Sequence, residues 1–154
     1  MKKRKKIRES DGYTFVETIV VLSVIAILAA GTTVSAGRLI SRARRVSARN
    51  QIDQLYAGLQ EYFLDCGRFP TTEQGIIALW QKPDMYPVPS NWNGPYVEKL
   101  PGKDPWGKEY CYLSRESSLL PSGVPENIPF VLYSFGADGE EGGEGENEDV
   151  VSWK

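Results

Sequence analysis

Seven carboxylates fall within the twelve residues from Asp138 to Asp149 (Asp138, Glu140, Glu141, Glu144, Glu146, Glu148 and Asp149), with glycines at 136, 139, 142, 143 and 145 just before and among them. Carboxylates this crowded repel one another unless water or a cation neutralises them. Hard oxygen donors with no cysteine or histidine nearby suit Ca²⁺ rather than a softer metal. Asp138, Glu140, Gly143 and Asp149 stand where positions one, three, six and twelve of an EF-hand loop would. Gly142 takes position five and no helix flanks the segment, so an EF-hand is excluded. From composition alone, a solvated acidic loop and a cation-binding one stay equally open.

A further carboxylate stands apart. Glu17 is the only charged side chain between Tyr13 and Gly37. An ionisable group in so apolar a segment costs about 2.5–3.5 kcal/mol on insertion into lipid, so it calls for a partner. Cys66 and Cys111 are the two cysteines. In a segment placed outside the cytoplasm they form either a disulfide or two buried small thiols. The chain has no histidine, which removes the commonest general base, the usual zinc ligand and the Ser/His and Cys/His pairs. No phosphate-binding Gly-rich loop with its Lys-Ser/Thr is present either, so an enzyme is not expected.

These groups must be positioned by few elements, because 154 residues make one modest domain plus one extra element. Lys2, Lys3, Arg4, Lys5, Lys6 and Arg8 against Glu9 and Asp11 leave the first twelve residues at net +4. The following stretch, 13–37, would span about 37 Å as a helix, enough to cross a hydrocarbon core of roughly 30 Å. Its basic flank keeps residues 1–12 cytoplasmic. A secretory signal cut between Ala30 and Ala36 is the competing reading. The helical pattern continues beyond Gly37: Ile52, Leu55, Leu59, Tyr62 and Phe63 form an apolar stripe. Arg38, Arg42, Arg44, Arg45 and Arg49 read as a solvated face in preference to a lipid contact. One helix from about Tyr13 to about Asp65 results, ended by Gly67 and Pro70.

Downstream, Glu109–Leu113 and Phe130–Phe135 read as neighbouring antiparallel strands joined by a Ser, Gly and Pro-rich loop. Thr71–Trp80 reads as a short helix capped by Thr72, with Gly75 weakening it. Asp104-Pro105-Trp106-Gly107 suggests a tight turn that anchors Trp106 on the core. The fold class is α+β, a long helix packed on a small antiparallel sheet.

Gly12 followed by Tyr13, Thr14, Phe15, Val16 and Glu17, behind a basic leader and ahead of an apolar helix, resembles the class III signal of type IV pilins and type II secretion pseudopilins. Tyr62–Leu79, Leu100–Tyr112 and Ser134–Trp153 are similar to the major, G-type pseudopilin family of type II secretion. The resemblance implies a type IV pilin-like fold, a leader 1–12, a transmembrane and polymerisation helix 13–37, and a periplasmic domain 38–154 with an acidic calcium loop 135–153. It also implies cleavage after Gly12 by the prepilin peptidase and methylation of the new amino terminus at Tyr13, where the family usually has Phe. The single-pass inner-membrane subunit would assemble as a homopolymer, with minor pseudopilins and an inner-membrane assembly platform as partners. By the same resemblance, that pseudopilus would drive folded proteins across the outer membrane. A minor pseudopilin, or a type IV pilin for adhesion or DNA uptake, is the alternative. The acidic mature chain argues against nucleic acid.

For the loop, the resemblance implies a non-EF calcium site. Asp138 and Asp149 would be its side-chain ligands, carbonyls around Phe135 and Glu140 would complete the shell, and Glu146, Asn147 and Glu148 are further candidates. Cleavage would free a charged amine at Tyr13, one helical turn from Glu17 and within reach of the same carboxylate on a neighbouring subunit. Removing the +4 leader changes the net charge from −2 to −6.

Overall fold

The structure is a computed structural model and describes residues 12–121 and 123–153, apart from the side chains of 31–36; the basic leader lies outside the described residues before Gly12. Helix α1 runs Phe15–Cys66. The chain divides into two compact units, Met1–Leu39 and Ile40–Lys154, and α1 contributes to both.

In the first unit no described side chain is buried between Gly12 and Ala30. Phe15, Val16, Ile19, Val20, Leu22, Ile25, Ile27 and Leu28 are all exposed. The hydroxyls there fold back onto the helix: Thr18 Oγ1 donates to Thr14 O at 3.2 Å and Ser23 Oγ to Ile19 O at 2.7 Å. Among the described residues, no helix is long and apolar enough to cross a membrane.

In the second unit α1 buries Ala48, Ile52, Leu55, Leu59 and Tyr62, the alternating steps of four and three that keep one helix face on a core. Gly67, at φ 72°, stops the helix, and its N–H donates to Phe63 O at 2.8 Å. A left-handed backbone there suits only glycine without strain.

Strands β1 (Cys111–Ser114), β2 (Phe130–Ser134) and β3 (Val150–Val151) form an antiparallel sheet in the order β1-β2-β3. Cys111 faces Tyr133, Ser114 faces Phe130, and Tyr133 faces Val151. The expected pairing of the first two strands is found, and β3 is an addition at the end of the acidic segment. Side chains alternate across the sheet with period two. Tyr112, Phe130, Leu132 and Val150 pack in the helix-side core with Ile52, Leu59 and Tyr62. Val131, Tyr133 and Val151 pack with Cys111, Leu113, Leu120, Val124, Ile128, Phe135 and Trp153. The long β1–β2 connection supplies part of that second layer, which is why β2 is buried on both faces.

The segment after Pro70 departs from expectation. Instead of a helix capped by Thr72 it is a turn followed by a short 3-10 helix, Ile76–Leu79. Thr71 and Gln74 cap each other: Gln74 N–H donates to Thr71 Oγ1 at 3.2 Å and Thr71 N–H to Gln74 Oε1 at 3.1 Å. Gly75 at φ 58° breaks the helical path. Thr72 turns to β1, where its Oγ1 accepts from Ser114 N–H at 3.1 Å.

Candidate functional site

Two regions carry the chemistry expected of this chain, one in each unit. At the amino-terminal end, Gly12 and Tyr13 precede α1 and are exposed. The helix is started by Thr14, whose capping role the sequence reading did not identify. Its Oγ1 accepts the Glu17 N–H at 3.2 Å and its carbonyl accepts the Thr18 N–H at 3.1 Å. Thr14 and Glu17 have the spacing of a capping box, so Ser/Thr-x-x-Glu ahead of an apolar run was the available signal. Glu17 lies in the first turn, where a carboxylate is favoured by the helix dipole. The Gly12–Tyr13 peptide therefore stands outside the helix.

The second region is the β2–β3 connection, which contains the acidic segment. Its geometry is set by glycines where a side chain has no room. A Cβ on Gly136 (φ 66°) would come within 3.0 Å of the Glu146 and Glu148 carbonyl oxygens, and one on Gly143 (φ 82°) within 2.6 Å of Asn147 O. The two limbs of the loop are tied by Ala137 N–H donating to Glu146 O at 3.1 Å. Asp138 Oδ1 accepts the Glu140 N–H at 3.2 Å. Asp149 Oδ2 accepts the Gly142 N–H at 2.9 Å. Gly142, Gly143, Glu144, Gly145, Glu148 and Asp149 line an open cavity of about 370 Å³.

The fit of this loop to a hard cation rests on Asp149, whose Oδ1 is buried with no hydrogen-bond partner. A buried carboxylate oxygen left unpaired is costly, and the same loop turns the Glu146 and Glu148 carbonyl oxygens toward Gly136. Calcium accepts such mixed donors. Among the described residues, however, no three Asp, Glu, Cys or His side chains gather as a metal-holding group. Asp138, Glu140 and Glu146 are exposed. Glu148 pairs with Arg45, its Oε2 lying 2.7 Å from Arg45 Nη2. Phe135 packs edge-on against Tyr133 with ring centroids 5.0 Å apart, and Trp153 does so at 6.0 Å.

The arginines of α1 are thus only partly a solvated face. Arg45 Nη1 donates to Gly145 O and Arg49 Nη1 to Val151 O, both at 2.7 Å, while Arg42 and Arg44 are exposed. Sequence reasoning placed Asp104 in a turn but missed the role of its carboxylate, which is buried at 5% exposure. Its Oδ1 accepts the N–H groups of Trp106 at 3.0 Å and Lys108 at 2.8 Å. Its Oδ2 accepts Ser134 Oγ–H at 2.6 Å. Ser134 Oγ in turn accepts the Gly136 N–H at 3.3 Å. The turn expected at Asp104–Gly107 is present, and its carboxylate anchors the root of the acidic loop.

The two cysteines are free thiols, not a disulfide. Cys66 packs on the helix-side core and Cys111 on the opposite face of the sheet, because Cys111 alternates with the helix-facing Tyr112 along β1. Burial pushes both thiols above their usual range, which disfavours the reactive thiolate. The Tyr62 hydroxyl is buried without a hydrogen-bond partner. Burial, and secondarily the Cys66 thiol, raises it to about 12. Burial likewise raises Tyr133 to about 12 and lifts Tyr110 and Tyr112 well above the ordinary phenol value.

Residues 37–153 match the family model described as Type II secretion system (T2SS), protein G. The type II secretion system core protein G of Pseudomonas aeruginosa is 38% identical over 147 residues, 95% of this chain and 96% of that protein. The protein of the same name from Vibrio cholerae is 38% identical over 150 residues, 97% of this chain and 95% of its own length. Among solved structures, the major pseudopilin from the type 2 secretion system of enterohaemorrhagic Escherichia coli superposes with a TM-score of 0.56 at 34% identity, covering 73% of this chain and 88% of that one.

Proposed function

The chain belongs to the type II secretion system protein G family, and on that premise we propose that it works as a major pseudopilin, polymerising into the periplasmic pseudopilus that drives export of folded proteins across the outer membrane. Its fold is type IV pilin-like and its role is that of a structural subunit of an envelope machine facing the periplasm. One observation carries the assembly reading. The helix from Phe15 to Ala30 presents apolar side chains all round, Phe15 at 81% and Ile27 at 72% exposure, with no covering surface within its own unit. Each such side chain gains roughly 1.5–3 kcal/mol on leaving water, so lipid or other copies of the chain must surround it.

The sequence of events we propose starts at the amino terminus. Residues 13–37 span the inner membrane once, with the leader cytoplasmic and the carboxy-terminal domain in the periplasm. The prepilin peptidase cuts the exposed Gly12–Tyr13 bond, and the freed Tyr13 amine is methylated. Glu17 of one subunit then neutralises the Tyr13 amine of a neighbour and sets the axial register, removing two charges that an apolar filament core would penalise. Minor pseudopilins and an inner-membrane assembly platform are the expected partners. Mass spectrometry of the mature protein should find an amino terminus at Tyr13 carrying one methyl group. Molecules that retain Met1–Gly12, or that start beyond Ala36, refute the reading. Glu17→Ala and Glu17→Leu should abolish filament assembly, and normal filaments from both would remove the register role.

The acidic loop is proposed to hold Ca²⁺. The orphaned Asp149 Oδ1 supports this, with Asp138, the carbonyls of Phe135 and Glu140, and the carboxylates of Glu146 and Glu148 as the candidate donors. A bound ion would supply charge neutralisation. At a hundredfold excess over Kd it would stabilise the folded domain by about 2.7 kcal/mol. Chelation should lower the melting temperature, and an identical melt in EDTA and in calcium discards the proposal.

A further inference from the structure

The acidic loop is gripped by two cations that come from elsewhere in the fold. Arg45, on α1, reaches its later limb, donating to Gly145 O at 2.7 Å and pairing with Glu148 Oε2 at 2.7 Å. Lys108 reaches its earlier limb: Nζ donates to Ala137 O at 3.1 Å. The Lys108 side chain also lies so close over Gly139 that any Cβ there would collide with its ammonium. Neither cation is placed by chance of a long side chain. Lys108 is half-buried, and its N–H is fixed on Asp104, the carboxylate that also receives Ser134 Oγ–H at the loop's root. Arg45 makes two bonds in different directions, one to a carbonyl and one to a carboxylate, which fixes its guanidinium plane.

We propose that Arg45 and Lys108 are positioning residues that clamp the acidic loop closed, supplying from within the chain part of the positive charge its crowded carboxylates require. The clamp stands on these contacts alone. Its consequence for metal dependence rests on the calcium reading above: with the clamp intact the loop closes with or without the ion, and with the clamp removed closure depends on the ion. Glu148 is then a carboxylate shared between Arg45 and the metal.

The test uses the full chain in detergent micelles with a protease that cuts after glutamate, scoring cleavage between residues 138 and 149. The variants are Arg45→Gln, Lys108→Gln, their combination, and Arg42→Gln as an exposed control, each in chelator and in millimolar Ca²⁺. In chelator the double variant should be cut about tenfold faster than the unmodified chain, since cleavage tracks the open population, and the control should be unchanged. Calcium should reduce that ratio. Equal cleavage of the double variant and the unmodified chain in chelator overturns the clamp, as does an Arg42→Gln effect as large as that of Arg45→Gln. A tenfold difference in chelator that calcium leaves untouched upholds the clamp and discards the calcium reading. Where a single variant unfolds the domain by circular dichroism, the charge exchange Arg45→Glu with Glu148→Arg decides. Restored protection in chelator supports the pairing, and none overturns it.

Discussion

Replacing Asp104 tests whether a single buried carboxylate organises the base of the acidic loop. Asp104→Ala removes the acceptor for three donors, the Trp106 and Lys108 N–H groups and Ser134 Oγ–H. The site is nearly closed to solvent, so water replaces those bonds only in part. Each buried donor left unpaired costs about 1–3 kcal/mol. Allowing for relaxation of the surface-facing turn, the expected loss is about 3–5 kcal/mol, or roughly 10–20 °C in melting temperature for a domain of this size. Asp104→Asn keeps Oδ1 for the two N–H groups and turns an NH₂ toward Ser134. That hydroxyl can rotate to accept, so the loss should be nearer about 1–2 kcal/mol. Thermal melts followed by circular dichroism give both numbers. If both substitutions cost under about 1 kcal/mol, water satisfies these donors and the reasoning fails. If Asn is as damaging as Ala, charge rather than acceptor geometry is what the site needs.

Gly58→Ala should destabilise although alanine is worth about 1 kcal/mol more than glycine within a helix. A Cβ there would sit 2.8 Å from Tyr96 O and 3.1 Å from Val97 Cγ1, an overpacking cost of about 1–3 kcal/mol against backbone that chemical denaturation can measure. Stability should also decline at alkaline pH. Burial raises Tyr62 and Tyr133 to about 12 in the fold, above the ordinary phenol value of about 10, so the folded state holds protons that the unfolded chain releases. Their contribution is complete below pH 10 and is lost as pH rises toward 12. Urea midpoints at intervals from pH 8 to 12, with tyrosinate absorbance alongside, check this; a flat midpoint above pH 10 contradicts it. Thiol titration of the oxidised, denatured protein should find both Cys66 and Cys111 free, and recovery of fewer than two thiols would place a disulfide back in the molecule.

The particular residues show why some of this structure was legible beforehand. The apolar stripe through Ile52, Leu55, Leu59 and Tyr62, the strands around Tyr112 and Leu132, and the helix stop at Gly67 depend on spacing and backbone preference within a few residues. So does the chemical character of the acidic loop, whose seven carboxylates are adjacent in the chain. Those features followed from sequence alone. Local hydrogen-bond competition was harder: Thr71 and Thr72 are neighbours of the same type, and only the approach of Ser114 decided that Thr72 would serve the sheet while Thr71 capped the turn.

What the tertiary structure alone decided are the pairings between distant positions. Arg45 meets Glu148 across 103 residues of chain, and Asp104 meets Ser134 across 30. Cys66 and Cys111 are separated by the sheet between them. No periodicity encodes such meetings, because they depend on where two remote segments are carried by everything that packs between them. A run of like charge announces that it needs counter-charge from neighbours, solvent or metal. Which cations arrive, and from which element, is settled only when α1 and the Asp104 turn are laid against the loop.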